Sequence, residues 1–197
     1  MKEKRPAYRG GVLSPMVDQK RMKIVASCIP DHSRVLDLGC GAGTLIPVLP
    51  PNCSYVGVDH VSRLIESNKE NFPQHFFRQI ELRECILPFN SGAFDVVVLA
   101  AFLGSLKNPR ILLSEVSRVL KSRGLVVVST PSRTGGRLHE ILASLRILDK
   151  EPSAEVVWSR ARLEACLPMT GLSLAEFKMF EMGLNQLFIL KKEPHGQ

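Results

Sequence analysis

Apolar and polar positions alternate along this chain in a way that predicts strands and helices in turn. Short apolar runs rich in β-branched residues are followed by segments whose apolar side chains recur at helical spacing. This order predicts a mainly parallel sheet covered by helices on both faces. Strands are predicted at 34–38, 54–59, 75–83, 94–101 and 125–130. The last two of these are apolar nearly throughout, which indicates central strands.

Amphipathic segments between and after these strands predict the helices. Residues 44–49 are predicted to begin a short helix, which Pro50 and Pro51 would end. A second helix follows the second strand, and a third, with Pro109 in its first turn, is predicted to end at Gly124. Further helices are predicted at 138–148 and 159–167, and strands at 172–180 and 185–190 form an antiparallel hairpin at the sheet edge.

Length and composition predict one compact domain. A chain of 197 residues buries one full-sized core but is short for two. Hydrophobic residues make up 45% and charged residues 23%, a balance that is typical of a soluble globular protein and excludes a disordered chain. We assign the domain to residues 24–191, between a basic N-terminal arm at 1–23 and a C-terminal tail at 192–197.

The positive charge of the chain is concentrated in the N-terminal arm. The arm has seven cations against two anions, so five of the seven net positive charges lie there. Either the arm is a solvated, partly disordered leader, or it contacts an anionic substrate, a phosphate backbone or a membrane surface. A nucleic-acid partner is therefore not the first prediction, but it stays open.

The sequence favours a cytoplasmic protein without a membrane span or a metal ion. No apolar run approaches the roughly 20 residues of a membrane-spanning helix, and the charged N-terminus is unlike a signal peptide. The five cysteines lack both the even count of a disulfide framework and the paired spacing of a zinc site. We expect free thiols in a reducing compartment.

A glycine-rich turn after the first strand is the candidate ligand site. Gly39, Gly41 and Gly43 allow a ligand to approach the backbone closely. Asp37 stands just before the glycines, and Asp59 ends the second predicted strand. A carboxylate at that second position accepts hydrogen bonds from both hydroxyls of a ribose. The pattern therefore predicts a nucleoside-containing ligand.

Spacing and charge favour a ligand other than a dinucleotide. The dinucleotide fingerprint has its third glycine where this chain has Thr44. Asp37 would also lie close to a bound pyrophosphate, and two like charges in a partly dry cleft repel each other. A ligand with a cationic amino group and no phosphate avoids this conflict.

Residues 35–44 resemble the first motif of the class I S-adenosylmethionine-dependent methyltransferases, in particular their small-molecule branch with the ubiquinone and menaquinone methyltransferases. The resemblance spans roughly residues 20–190 and continues in Asp59, in 87–95 and in 115–124. It implies a Rossmann-like α/β fold, in which a mostly parallel seven-stranded sheet has an antiparallel last strand and helices on both faces. It also implies S-adenosylmethionine as cofactor and S-adenosylhomocysteine as product.

The resemblance also assigns cofactor-binding residues. Asp37 is expected at the amino end of the methionine part, Asp59 at the ribose and His60 against the adenine. The turn residues expected to line the methionine part through their backbone are Gly39, Cys40, Gly41 and, in the same turn, Gly43. Cys40 is expected to be a small filler without a nucleophilic role.

Two further assignments concern the adenine edge and the reacting methyl group. In the family an acidic residue before the Leu-Pro-Phe segment reads the adenine edge, but Arg83 stands at its usual position here. Glu84 is expected to replace it with a shift of one residue. Leu99 and Ala100, at the end of the fourth strand, are expected to border the sulfonium and the substrate.

The sequence offers no clear catalytic residue, because methyl transfer from a sulfonium chiefly needs an attacking atom held in line with the methyl group. Tyr8 and His139 are the candidates for a base, since inserts at these places commonly form the substrate lid in the family. The Asn- or Asp-Pro-Pro-aromatic segment of amine methyltransferases is replaced by Leu-Ala-Ala-Phe at 99–102. We therefore expect O- or C-methylation of a small molecule or lipid-like metabolite.

Two other classes of function stay open. An RNA or protein methyltransferase would use the basic arm as its docking surface. A non-catalytic module would have kept the fold, and would bind the cofactor weakly or serve as a partner subunit.

Overall fold

The computed structural model describes residues 14–82, 86–100, 102–106, 108–145 and 158–193, in which one seven-stranded sheet is flanked by helices. The strands are β1 (Arg34–Leu38), β2 (Ser54–Asp59), β3 (Phe76–Gln79), β4 (Phe94–Ala100), β5 (Leu120–Pro131), β6 (Leu172–Phe180) and β7 (Asn185–Lys192). The helices are α1 (Ser14–Ala26), α2 (Ser62–Asn71), α3 (Arg110–Val119), α4 (Arg133–Ser144) and α5 (Arg160–Glu164).

The strand order places a crevice at the end of β1. The order is β3-β2-β1-β4-β5-β7-β6, with parallel pairing from β3 to β5 and antiparallel pairing of β7 with both neighbours. The chain moves outward from β1 in one direction and returns to its other side with β4. In open α/β sheets such a reversal leaves a ligand crevice at the carboxyl ends of the strands. The predicted sheet, with its antiparallel last strand, is confirmed.

Two apolar layers hold the helices on the sheet. One face packs against α3, α5 and the buried Trp158, whose ring nitrogen donates to the carbonyl of Leu103 over 2.8 Å. The other face packs against α1 and α2. Because successive side chains of a strand point to opposite faces, Leu36 and Leu38 enter the first layer, while Val35 enters the second. Asp37 therefore faces α1 and α2.

Several predicted boundaries are wrong for identifiable reasons. The predicted helix at 44–49 is reduced to a 3-10 turn at Ile46–Val48, because three prolines between residues 47 and 51 remove the amide donors that a longer helix needs. Helix α3 ends before Gly124, because Leu120 already pairs with Phe94 in the sheet. Strand β3 is shorter than predicted, and β5 is longer.

The two ends of the predicted domain fall inside regular elements. Helix α1 crosses the predicted boundary after residue 23, and its Met22 and Val25 are buried against the sheet. Strand β7 runs through Lys192, just past the predicted start of the tail. Residues 1–13, with Tyr8, lie outside the described residues. Among the helices described, none has the length and apolar character to cross a membrane.

Candidate active site at the carboxyl ends of the strands

The glycine-rich turn bends the chain from β1 over the end of β2. Gly39, Gly41 and Gly43 have φ angles of +79°, +52° and +72°, a region that residues with a side chain rarely adopt. The backbone N–H groups of Gly39 and Cys40 both donate to the carbonyl of Val58, over 2.8 and 2.9 Å. The sequence of small residues thus produces a tight turn fixed to β2.

The carboxylate of Asp59 fixes the same turn from the end of β2. Its Oδ2 accepts from the backbone N–H of Gly41 and its Oδ1 from that of Val61, each over 2.9 Å. Nδ1 of the exposed His60 lies 3.3 Å from Oδ1. A carboxylate oxygen has two acceptor sites, so Asp59 can accept ligand hydroxyls while it holds the turn.

Asp37 is a buried carboxyl group with one oxygen still unpaired. The Tyr55 hydroxyl donates to Oδ2 over 2.7 Å, whereas Oδ1 has no hydrogen-bond partner among the described residues. Burial raises the pKa of Asp37 to about 7, although the Tyr55 bond acts in the opposite direction, and the nearby charge of Asp59 raises it further. An orphaned buried oxygen is costly for the free protein, and a ligand cation would satisfy it.

A cavity of about 250 Å³ lies between the glycine-rich turn and helix α1. Asp37 contributes to its wall together with the turn. Helix α1 contributes a charged pair and Met22, and Leu64 and Ala100 add apolar surface. The cavity wall therefore combines charged and apolar side chains.

The three glycines of the turn face different surroundings. A Cβ at Gly39 would come within 2.8 Å of the Phe102 ring, and one at Gly43 within 3.0 Å of the Phe72 ring. A Cβ at Gly41 would meet nothing within 4 Å. Gly41 is therefore the glycine with open space in front of it, whereas Gly39 and Gly43 allow aromatic rings to pack closely.

Cys40 is a packing residue in this arrangement. Its side chain is buried, and its sulfur lies 3.0 Å from the position that a Cβ at Gly57 would take. Burial raises the pKa of the Cys40 thiol far above its usual value. The thiol stays protonated at neutral pH, so it is not a nucleophile.

The structure does not bring Leu99 to the cavity. Leu99 is completely buried in the core layer of α3 and α5, while Ala100 lines the cavity. Since strand side chains alternate between faces, the two residues cannot both face it. The prediction of both residues is therefore corrected to Ala100 alone. Glu84, like Arg83, lies outside the described residues.

Three contributions to the site were missed by sequence reasoning. Buried Asn68 of α2 donates to the carbonyl of Gly41 over 2.8 Å, and its position on an apolar helix face was the available signal. Tyr55 lies in an apolar strand with no pattern pointing to Asp37. Arg21 of α1 was counted with the basic arm, yet its side chain lines the cavity.

A charged pair on α3 holds the segment 87–89 in place. The backbone N–H of Leu87 donates to Glu115 Oε2 over 2.9 Å, and Arg118 donates to the carbonyls of Leu87 and Phe89 over 2.8 and 2.9 Å. The Arg118 guanidinium also lowers the pKa of Glu115. This pair fixes the Leu-Pro-Phe segment that the sequence motif singled out.

The family model of the methyltransferase domain matches residues 13–175, and the chain belongs to this family. The protein is an S-adenosylmethionine-dependent methyltransferase. The chain is similar to the ubiquinone/menaquinone biosynthesis C-methyltransferase UbiE of Campylobacter jejuni, with 27% identity over 86% of this chain and 83% of that protein. It also resembles the thiol S-methyltransferase TMT1B of Rattus norvegicus, with 36% identity over 47% of this chain and 40% of that protein.

Solved structures share the fold at low sequence identity. The methyltransferase in a complex with the Trm112 methyltransferase activator of Haloferax volcanii superposes with a TM-score of 0.73 at 16% identity, over 93% of this chain and 94% of that one. A TehB-like methyltransferase from Corynebacterium glutamicum gives a TM-score of 0.65 at 17% identity, over 88% and 87% of the chains. The predicted class I methyltransferase fold is confirmed.

Proposed function

We propose that the cavity between the glycine-rich turn and α1 holds the methionine part of S-adenosylmethionine, and that the enzyme methylates an oxygen or carbon atom of a small molecule or lipid-like metabolite. One observation above all supports the cofactor position. The unpaired Oδ1 of Asp37 is buried in the cavity wall, where it complements a cationic amino group.

The other described residues of the turn fit the same ligand. Gly41 leaves open space through which the ligand can approach the backbone. Asp59 would accept the ribose hydroxyls, and His60, next to it and exposed, would lie against the adenine. Glu84 lies outside the described residues, so its role at the adenine edge stays a prediction.

The chain acts chiefly by positioning and by excluding water. When bound, S-adenosylmethionine supplies a methyl group on a cationic sulfur. The apolar side chains of Met22, Leu64 and Ala100 would keep water from that region. Holding the acceptor atom in line with the methyl group can provide much of the acceleration. No base is assigned: Tyr8 and the His139 side chain lie outside the described residues, so both stay predictions.

The nature of the acceptor is inferred from the walls and from relatives. Relatives are named as quinone-pathway C-methyltransferases, a thiol S-methyltransferase and a trans-aconitate 2-methyltransferase, all small-molecule enzymes by name. The apolar end of β4 at Ala100, with Met22 and Leu64 in the same wall, favours a neutral, largely apolar acceptor. We place the enzyme in the cytoplasm, in keeping with the free thiols of the described Cys28, Cys40, Cys53 and Cys166.

A transfer assay tests this proposal. The purified protein is incubated with methyl-labelled S-adenosylmethionine and one acceptor at a time: a demethylated quinol, a small thiol, trans-aconitate, total RNA or a protein extract. We expect label in an apolar small molecule. Label in RNA or protein alone would contradict the proposed acceptor. Calorimetry with S-adenosylhomocysteine is run alongside, and absence of binding would favour the non-catalytic module.

A further inference from the structure

Helix α4 has an apolar stripe on its solvent side, formed by Leu138, Ile141 and Leu145. These side chains are between 38% and 63% exposed. They lie within an arc of about 60° around the helix axis, because successive helical residues are about 100° apart. Leu145 continues the helix, since its backbone N–H donates to the carbonyl of Ile141 over 3.2 Å. A row of large apolar side chains on one exposed helix face indicates an interaction surface.

Two arginines of α4 lie beside this stripe. Arg137 is about 40° from Ile141 around the helix axis, and Arg133 lies one turn earlier. Both side chains are exposed, and neither forms an ion pair with another of the described residues. Helix α4 has one carboxylate, Glu140, so its charged side chains are two cations and one anion. The exposed surface of α4 is therefore both apolar and cationic.

A further exposed apolar side chain lies at the same edge of the sheet. Met182, in the turn between β6 and β7, is 99% exposed. This turn is attached to the start of α4: the backbone N–H of Ser132 donates to the carbonyl of Leu184 over 2.8 Å, and Gly135 packs directly on the Leu184 backbone. Strand β5 ends and β7 begins at this place, so α4 and the turn lie at the carboxyl edge of the parallel strands, like the cofactor cavity.

We propose that α4 and Met182 dock the enzyme on a membrane surface that contains anionic lipids, from which a lipid-like acceptor reaches the cavity; the origin of the acceptor rests on the proposed function. An amphipathic helix with arginines beside an apolar stripe lies in the membrane interface, where its apolar side chains contact acyl chains and its guanidinium groups lie near the phosphates. The net charge of +7 favours approach to an anionic surface.

The charges of this surface disfavour other occupants. A symmetric contact between two copies through α4 would place Arg133 and Arg137 of both copies in one interface, where like charges repel each other. An RNA would pair with the arginines, but its phosphate backbone provides no apolar surface for the stripe. An anionic bilayer complements the arginines and the stripe together.

Vesicle sedimentation with the full chain, without cofactor or acceptor, tests the docking. Vesicles of phosphatidylcholine mixed with phosphatidylglycerol are compared with vesicles of phosphatidylcholine alone. We expect the wild-type protein to bind the anionic vesicles at least about tenfold more strongly, and salt to weaken this binding. Equal binding to both kinds of vesicle, or binding to neither, would overturn the inference.

Two double variants separate the apolar and the cationic contribution. Leu138→Ser with Ile141→Ser changes no charge and is expected to weaken binding to the anionic vesicles by about tenfold. Arg133→Gln with Arg137→Gln should weaken it by about tenfold as well and leave binding to the neutral vesicles unchanged. Wild-type binding by both double variants would show that α4 does not contact the membrane.

Phe76→Ser is the matched control for the apolar variant. Phe76 is 56% exposed, against 57% for Ile141, but it is the first residue of β3 and lies at the amino edge of the sheet. Its replacement should leave vesicle binding unchanged, and a loss equal to that of the α4 variant would contradict the assignment to α4.

The basic arm needs a control of its own, because it has most of the net positive charge. The variant Lys2→Gln with Lys4→Gln and Arg5→Gln is expected to bind the anionic vesicles less strongly than the wild type, but to remain sensitive to Leu138→Ser with Ile141→Ser. If the arm variant loses all binding while both α4 variants bind like the wild type, the arm is the anchor and the inference is wrong.

The failure of this inference is distinguishable from the failure of the proposed function. All α4 variants should keep the wild-type affinity for S-adenosylhomocysteine and the wild-type melting temperature. A clear fall in melting temperature in the apolar variant would mean that the chain itself covers the stripe, and a change from dimer to monomer would make the stripe a contact between copies; either result overturns the inference. Absence of S-adenosylhomocysteine binding by the wild type would instead contradict the cofactor site, whatever the vesicles show.

Discussion

The hydroxyl group of Tyr55 on β2 donates to Oδ2 of Asp37 on β1 over 2.7 Å, and both side chains are buried between the sheet and its helices. The bond holds the carboxyl group in one orientation, in which the other oxygen is left for a ligand. Strands β1 and β2 are neighbours in the sheet, and Tyr55 pairs with Val35, two residues before Asp37, so its hydroxyl group can reach the carboxyl group. Tyr55 therefore acts as a positioning residue for Asp37.

Cofactor affinity is expected to fall below about pH 7. The pKa of Asp37 in the free protein is about 7, and only its ionised form pairs with an ammonium group. Binding at lower pH must therefore release a proton, which weakens affinity by up to about tenfold per pH unit. Calorimetry with S-adenosylhomocysteine between pH 5.5 and 8.5 would measure this slope.

Variants identify the group that makes the cofactor affinity depend on pH. Tyr55, Cys40 and Asp59 face the carboxyl group of Asp37 from the sheet side, and Asp18 and Arg21 line the same cavity from α1. Asp37→Asn should bind weakly with little pH dependence. His60→Gln should keep the pH dependence of the affinity. If the affinity of that variant does not change with pH, the histidine causes the effect.

Asp37→Asn is expected to stabilise the free protein at high pH. The pKa of Asp37 is raised in the fold from its ordinary value of 3.8 to about 7. Its stabilising contribution is therefore complete at low pH and is lost as the pH rises between about 4 and 7. Asp37→Asn keeps an acceptor for Tyr55 without the charge, so its melting temperature should be above that of the wild type at pH 8 and close to it at pH 4. A lower value at pH 8 would contradict the burial of an ionisable group here.

Alanine at two glycines of the turn should have different effects. Gly39→Ala brings a Cβ within 2.8 Å of Phe102 at a φ of +79°, so we expect a loss of about 2 kcal/mol or more in the free energy of unfolding. Gly41→Ala meets nothing within 4 Å and should cost about 1 kcal/mol from its φ of +52°, but it narrows the ligand space. Thermal unfolding and calorimetry separate the two. If both variants lose affinity in the same proportion to their loss of stability, Gly41 does not face the ligand.

Asp59→Ala is expected to weaken binding of S-adenosylhomocysteine by more than about tenfold, through loss of the ribose hydrogen bonds. Asp95→Ala is the matched control. Asp95 also accepts from a backbone N–H, that of Arg34 over 2.9 Å, and pairs with Lys121, but it lies at the amino ends of the strands. Both variants should lose about 1–3 kcal/mol of stability, and the affinity should fall in the first alone. Unchanged affinity in Asp59→Ala would show that the nucleoside lies elsewhere.

Most of the sheet could be predicted from the sequence because its signals are local. Central strands such as Phe94–Ala100 are apolar throughout, and the final hairpin has its turn at Met182 and Gly183 as predicted. The ends of strands were harder to predict. Strand β5 begins directly after α3 because Leu120 pairs with Phe94, and no local pattern in the sequence shows this pairing.

The site could be predicted only as far as its motif. The motif located the glycine-rich turn and both carboxylates, but the close packing of Phe102 on Gly39 depends on a contact between residues far apart in the chain. Face alternation on β4 was predictable in principle and would have favoured Ala100 over Leu99. The place of Arg21 in the cavity wall depends on how α1 packs, which charge spacing does not determine.

Strand β7 lies between β5 and β6, although it follows both in the chain. Until β7 is synthesised and inserted, β5 keeps an unpaired edge and β6 has no partner strand in the sheet. The carbonyl of Trp158 also lacks the donor that Gln186 provides over 2.8 Å. The sheet therefore cannot be completed while only its first six strands have been synthesised. We expect a nascent chain released before Asn185 to aggregate, and the final folding step to follow translation of β7.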